Sequence, residues 1–308
     1  MPETARGDGS AASGASGDTI SVGELVGEVD ALLRAAGVAE SRKEARDIVA
    51  AMLDMPRFWP SAHPDEPLDD GIRRAARRAA EKRARGAPFP YAVGRAAFRH
   101  LTLDVDERVL IPRQETEVLV ESVLEWAGAS TLAGGGTAVD IGTGSGAIAL
   151  ALASEGRFER VVGTDICLGA LAVARANVSR LRPALRAPVE LRHGSLLAPV
   201  RGERARVLVA NPPYIACGEA SLLPASVRDW EPPIALFSGE DGMAATRRII
   251  HGAGDVLEPG GLLAIEVDAR RASLAAETAL ADGRYAGVRV ELDLSGRERI
   301  LLATRKDQ

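Results

Sequence analysis

The stretch Val207-Leu208-Val209-Ala210-Asn211-Pro212-Pro213-Tyr214-Ile215 limits the possible folds more than any other in the chain. Its β-favouring apolar start predicts the end of a buried strand. Asn211 marks the stop, because Pro212 and Pro213 lack N–H groups and cannot continue a central ladder. Each proline also drives the preceding residue toward extended geometry, so the backbone is stiff before any ligand arrives. A polar amide, outward carbonyls and an aromatic ring are thereby fixed at a strand's carboxyl end, where open α/β sheets bind ligands.

Such a group suits the holding of a planar –NH2. The Asn211 oxygen and a neighbouring backbone carbonyl can accept both hydrogens while Tyr214 covers the π-face. The nitrogen is then left facing an electrophile. Asn-Pro alone would be an ordinary turn after a strand. The full tetrapeptide after a Val-rich strand is far more specific.

Upstream, Val139-Asp-Ile141 predicts a short strand, and Gly142-Thr-Gly144-Ser-Gly146 turns into an Ala/Leu helix running through Ser154. Glycines there allow a tight turn and close approach of a ligand to the helix N-terminus. The next strand, Arg160–Thr164, ends at Asp165, nineteen residues after Gly146, where a carboxylate can take both ribose hydroxyls. Gly142-x-Gly144-x-x-Ala147 also satisfies the dinucleotide fingerprint, which leaves a nicotinamide enzyme open at this step. Asn211-Pro-Pro-Tyr214 decides against it, since hydride transfer needs no amide clamp.

Strands at Val189–Arg192, Val207–Ala210 and Leu262–Val267 continue the pattern, with a helix over Met243–Leu257 and a helix after Asp165 presenting Leu171, Ala174, Val178 and Leu181. Val288–Leu294 and Arg299–Thr304 predict a hairpin closing the sheet antiparallel to the rest. The alternation gives a doubly wound α/β domain. Before it, Phe98–Val105 alternates as one strand that Val109–Ile111 can pair with, and Pro112–Glu117 opens a helix.

The N-terminal part differs. Residues 1–19 carry almost no large apolar side chain and are expected to form a disordered tail. Over 20–88 a small helical domain is expected: Ser21–Glu24 and Ser41–Glu44 both fit the capping box, and a third helix spans Asp70 to Arg85. That helix carries Arg73, Arg74, Arg77, Arg78, Lys82, Arg83 and Arg85 against Glu81. Charge runs usually face solvent, but a basic helix in a chain of net charge −5 also suits an acidic protein surface or RNA. Only Cys167 and Cys217 are present, without metal-ligand spacing, so no metal and no disulfide framework are expected. No signal-peptide pattern or long apolar run is seen, which makes the cytoplasm the expected compartment and a membrane partner unexpected.

Together these motifs resemble the protein-(glutamine-N5) methyltransferases that modify peptide chain release factors. The resemblance runs from Leu25 to Arg305 and rests on Pro90-Tyr91-Ala-Val-Gly94, Phe98, Leu110-Ile-Pro-Arg113-x-Glu115-Thr116-Glu117, Asp140–Leu150, Asn211–Ile215, Trp230-Glu231-Pro232, Ala235-Leu236 and Asp241-Gly242. It implies a seven-stranded class I methyltransferase (Rossmann-like) domain over 89–308, with the helical domain helping to hold the substrate protein. S-adenosylmethionine would be the cofactor, held by Asp140, Gly142, Thr143, Gly144, Gly146, Asp165, Ser195, Leu196 and Asn211. Asn211, Pro212 and Tyr214 would be catalytic, and Pro213, Phe98 and Arg113 would join them around the substrate. A release factor would be the protein partner of a monomeric enzyme, without direct nucleic-acid binding. Other acceptors compatible with the same tetrapeptide are a ribosomal-protein glutamine, a small amide or amine, and a nucleic-acid amino group. Two departures from the family stand out: Gly194-Ser195 where an acidic residue is usual near the adenine, and Glu266-Val267-Asp268 where Glu-x-Gly is usual, which would narrow or recharge the edge of the site.

Overall fold

The computed structural model describes residues 19–129 and 135–307. The tail expected over 1–19 therefore lies, but for Thr19, outside the described residues, as does Gly134 ahead of the main sheet. Two compact units divide between Gly86 and Ala87.

The first unit is helical. Strand β1 (Ile20–Ser21) leads into α1 (Val22–Ala35), followed by α2 (Ser41–Leu53), the single turn α3 (Trp59–Ala62), strand β2 (Pro67–Leu68) and α4 (Asp70–Ala84). β1 and β2 pair antiparallel. At Ser21 the capping box forms as expected: its hydroxyl accepts the Glu24 N–H at 3.2 Å and its N–H reaches Glu24 Oε2 at 2.8 Å. At Ser41 it does not. Ser41 lies inside α2, whose N-cap is Glu40, and its hydroxyl donates to Asp30 Oδ1 at 2.7 Å. Asp30 is a buried carboxylate needing donors, and that demand outweighs a cap exposed to water.

Alanines 76, 79 and 80 form the buried face of α4. The basic face is partly spent within this unit, since Arg73 pairs with Glu28 at 2.6 Å and Arg83 with Glu44 at 2.6 Å. Arg77, Arg78 and Arg85 remain exposed.

The second unit opens with α5 (Phe89–Val93) and the hairpin β3 (Arg95–Phe98) and β4 (Leu101–Asp104). This corrects the reading of Phe98–Val105 as one strand. The chain reverses at Arg99-His100, Arg99 taking a left-handed φ of +51°, and β4 pairs with the residues before it, not with Val109–Ile111. The turn is fastened by the Arg99 guanidinium, which reaches Glu155 and Glu121. Alternation alone cannot show that a two-residue reversal interrupts it.

Helix α6 (Gln114–Ala129) precedes the alternating core: β5 (Thr137–Ile141), α7 (Ala147–Glu155), β6 (Arg160–Asp165), α8 (Leu168–Leu181), β7 (Val189–His193) and β8 (Ala205–Ala210). After short turns α9 (Ala225–Arg228) and α10 (Pro233–Leu236) come α11 (Ala244–Val256), β9 (Leu257–Glu266), α12 (Ala272–Asp282), β10 (Tyr285–Leu292) and β11 (Glu298–Arg305). β9 begins ahead of the expected Leu262, with Pro259-Gly-Gly261 inside it. The seven-stranded sheet has the order β10-β11-β9-β8-β5-β6-β7. Only β11 runs against the parallel strands; β10 reverses again at the edge, so the hairpin is not antiparallel as a whole.

Side-chain alternation on β8 explains the two layers. Val207 and Val209 point into the core with Leu119, Val120 and Leu150 of α6 and α7. Leu208 and Ala210 pack oppositely with Ile249, Ile250 and Ala275 of α11 and α12. Every residue of β8 is buried, as a central parallel strand covered on both faces requires.

Candidate active site

Ile141 of β5 and Ala210 of β8 are register partners. From β5 the chain moves one way to β6 and β7, then returns to the other flank as β8. Gly142 and Asn211 therefore leave the sheet side by side at the topological switch point, where such sheets open a crevice.

The turn after β5 is held tightly. Gly142 and Thr143 both donate their N–H to the Thr164 carbonyl at 2.8 Å. Gly142 and Gly144 have φ of +74° and +55°, angles that a Cβ would strain. Beneath the turn, buried Asp140 accepts the Thr143 hydroxyl at 2.6 Å and the Ala149 N–H at 3.2 Å. Burial pushes its pKa up to about 7, and its Oδ1 has no hydrogen-bond partner among the described residues. Across the turn, Asp165 accepts the Gly144 N–H at 2.9 Å and the Cys167 N–H at 2.8 Å.

A cavity of about 390 Å³ opens here. That is within the range of small-ligand sites. Gly142, Thr143, Gly144, Asp165, Ser195, Leu196, Asn211, Pro213, Phe98 and Arg113 all line it. Asp140, Gly146, Pro212 and Tyr214 are not among its lining residues. Asp140 is a support below the turn, and Gly146 is the N-cap of α7 with φ +85°. Leu196 takes a left-handed φ of +48° while the Thr164 hydroxyl donates to its carbonyl at 3.2 Å. Tyr214 is half-buried, and desolvation, then the negative charge of Glu266, raises its pKa.

Asn211 is fixed by side chains from two other elements. Its Nδ2 donates to Thr116 Oγ1 at 2.9 Å, and that hydroxyl donates to Glu266 Oε2 at 2.6 Å. Glu266 is 1% exposed, and desolvation pushes its pKa up to about 7. Arg113 pairs with buried Glu231, which holds it at the cavity wall.

The cavity also has walls that the motifs did not single out: Ile166, Cys167, Ile234, Phe237 and Arg248. Exposed apolar positions such as Ile166 and Ile234 are the only local signal for them, since their place depends on the tertiary path of the loops. Asp268 is not among the cavity's lining residues. Its carboxylate caps the turn at Arg270 and pairs with Arg270 at 2.6 Å and Arg271 at 2.7 Å, and its charge also adds a minor contribution to the raised pKa of Tyr214.

The matching family models are the PrmC N-terminal domain over residues 24–94 and the methyltransferase small domain over 115–223. A release factor glutamine methyltransferase of Moorella thermoacetica is 41% identical over 92% of this chain and 99% of its own length. One from Xylella fastidiosa strain Temecula1 is 38% identical over 88% of this chain and 95% of its own. A methyltransferase structure from Pyrococcus furiosus, 19% identical, superposes with a TM-score of 0.50 over 68% of this chain and 91% of that one, a likeness of fold. With that identity over nearly the whole length, and a motif-bearing cavity at the switch point, the chain belongs to the release factor glutamine methyltransferase family.

Proposed function

We propose that the protein transfers a methyl group from S-adenosylmethionine to the side-chain amide nitrogen, N5, of a glutamine in the Gly-Gly-Gln segment of a peptide chain release factor. The observation that carries this is the Asn211 carboxamide at the switch point. Its Nδ2 is occupied by Thr116, which leaves Oδ1 as an acceptor at the cavity wall. A site offering acceptors suits a primary amide or amine, which has two N–H hydrogens to give.

The cavity fits the methyl donor. Asp165, at the end of β6, supplies a carboxylate for ribose hydroxyls, and the left-handed glycines of the neighbouring turn let backbone approach the ligand closely. Ile166, Leu196 and Phe237 give apolar cover, and Ser195 offers one hydroxyl near them. Bound S-adenosylmethionine supplies a methyl group on a sulfonium. The chain's own residues do the rest by positioning. An amide nitrogen is a poor nucleophile because its lone pair is shared with the carbonyl. Asn211 Oδ1 and the carbonyl of Pro212, which sits between the lining residues Asn211 and Pro213 without itself lining the cavity, accept its two hydrogens, favour the geometry with more lone-pair density on nitrogen, and leave that nitrogen facing the cofactor. As the C–N bond forms, the methyl carbon–sulfur bond breaks, the sulfonium leaves as a neutral thioether, and one amide proton is lost late, to water. Arg113 borders the mouth, and the helical unit takes part in holding the substrate protein.

The test is methyl transfer from labelled cofactor to purified release factors, followed by peptide mapping. Label on the Gly-Gly-Gln glutamine supports the proposal. Label on a ribosomal protein, an oligonucleotide or a small amine, with none on release factors, overturns it.

A further inference from the structure

Three elements meet at one hydroxyl. Thr116 is in the first turn of α6, Asn211 follows β8 and Glu266 ends β9, and Thr116 is buried between the other two. Ala210 and Ile265 are register partners, so Asn211 and Glu266 leave adjacent strands together, one residue beyond them. We infer that Thr116 and Glu266 are positioning residues that decide which end of the Asn211 carboxamide is offered to the methyl acceptor. The inference rests on the amide-clamp reading of Asn211 given above.

A hydroxyl has one proton to donate, and an ionised carboxylate can only accept. The Thr116 proton goes to Glu266 at 2.6 Å, so toward Asn211 the Thr116 oxygen presents a lone pair. Only the –NH2 end of Asn211 can satisfy it, and Nδ2 does so at 2.9 Å. Oδ1 is thereby turned away from Thr116, as an acceptor for an incoming N–H. Were Glu266 protonated, it could donate to Thr116, and Thr116 could donate to Asn211 Oδ1. The carboxamide would then turn its –NH2 toward a substrate that also presents –NH2, donor against donor.

The charge state of Glu266 is set from several sides. Desolvation favours its neutral form, as does Glu115 beside Thr116; Arg299 on β11 and Arg113 before α6 favour the carboxylate. Tyr214, after β8, also lies within its field. The relay thus has two states of opposite polarity, and only the ionised one suits an amide clamp.

The experiment uses the full chain with Thr116→Val, Thr116→Ser and Glu266→Gln. Two readouts separate this inference from the acceptor assignment. The first needs no acceptor: the side-chain ¹⁵NH2 resonance of Asn211, assigned by its loss in Asn211→Asp. It should move in Thr116→Val and return in Thr116→Ser, at unchanged cofactor affinity. The second is turnover on a purified release factor. Thr116→Val should lower kcat by about ten- to a hundredfold, within the cost of a mispositioned polar group, with Thr116→Ser recovering most of it. The rise of kcat with pH as Glu266 ionises should be lost in Glu266→Gln, a variant that also serves if Thr116→Val is poorly folded. An Asn211 resonance indifferent to Thr116→Val, or wild-type kcat and pH profile in both Thr116→Val and Glu266→Gln, overturns the inference. If the wild-type protein labels no release factor, the acceptor assignment falls, and the Asn211 resonance alone decides the relay.

Discussion

The carboxylate of Asp165 accepts the Gly144 N–H at 2.9 Å, so the acid ending β6 braces the turn that follows β5. Its other oxygen takes the Cys167 N–H at 2.8 Å. Asp165→Ala would remove both braces along with the proposed ribose ligand. Charge-assisted hydrogen bonds are worth roughly 1.5–3 kcal/mol, so cofactor affinity should fall by about one to two decades. Asp165→Asn keeps one acceptor oxygen and should lose less. Calorimetric titration checks both, and an unchanged affinity in Asp165→Ala would show that the ribose lies elsewhere.

The exposed arginines of α4 provide a separate test. Arg73 and Arg83 brace the helical unit through Glu28 and Glu44, so reversing them would confuse stability with recognition. Arg77 and Arg78 are exposed. Arg77→Glu with Arg78→Glu should lower activity on an intact release factor several-fold and leave activity on a short Gln peptide unchanged. Rim charges act on association and its salt dependence more than on chemistry. Equal activity on both substrates would make that face a solvated one.

Much of the scaffold was legible because it is written in local chemistry. Glycines at 142, 144 and 146, prolines at 212 and 213, and the apolar runs of β5, β6 and β8 each act within a few residues, and the sheet followed from their alternation. Long-range partners were not legible. Ser41 fits a cap pattern but answers to Asp30, eleven residues earlier. Phe98–Val105 alternates smoothly across a reversal that depends on Arg99 reaching α6 and α7. At the site, Asn211 was visible as a strand-ending amide. Its partners Thr116 and Glu266 lie 95 residues before it and on the neighbouring strand, and nothing in the spacing links them.

Stability should carry the mark of the buried acids. Glu266 titrates at about 7 in the folded protein and Asp140 at about 7, against ordinary values near 4 when unfolded. Between about pH 4 and 7 the folded state holds protons that the unfolded state has lost, so these groups make stability fall as pH rises across that window and level off above it. Glu266→Gln removes one such proton. Its stability relative to the wild-type protein should therefore improve from pH 5 to pH 7.5, by up to about 2 kcal/mol. Denaturant midpoints at the two pH values measure this. A difference that stays constant would mean that Glu266 is ionised throughout.

Asn211 carries the largest expected effect on rate. Asn211→Ala removes the proposed acceptor and also leaves the Thr116 oxygen without its donor. Loss of a preorganised transition-state hydrogen-bonding group costs about 10²–10³ in kcat, and cofactor affinity should be nearly unchanged. Asn211→Asp is the more informative change. It keeps the shape and an acceptor oxygen, but sets a second oxygen against Thr116, whose proton is already given to Glu266. It also adds negative charge beside a cationic cofactor, which favours ground-state binding without favouring the transition state. Turnover should therefore fall at least as far as in Asn211→Ala, while cofactor binding stays equal or tightens. An Asn211→Asp protein with near-normal turnover at saturating cofactor would mean that an acceptor oxygen alone suffices, and that the donor end of the carboxamide has no part in holding it.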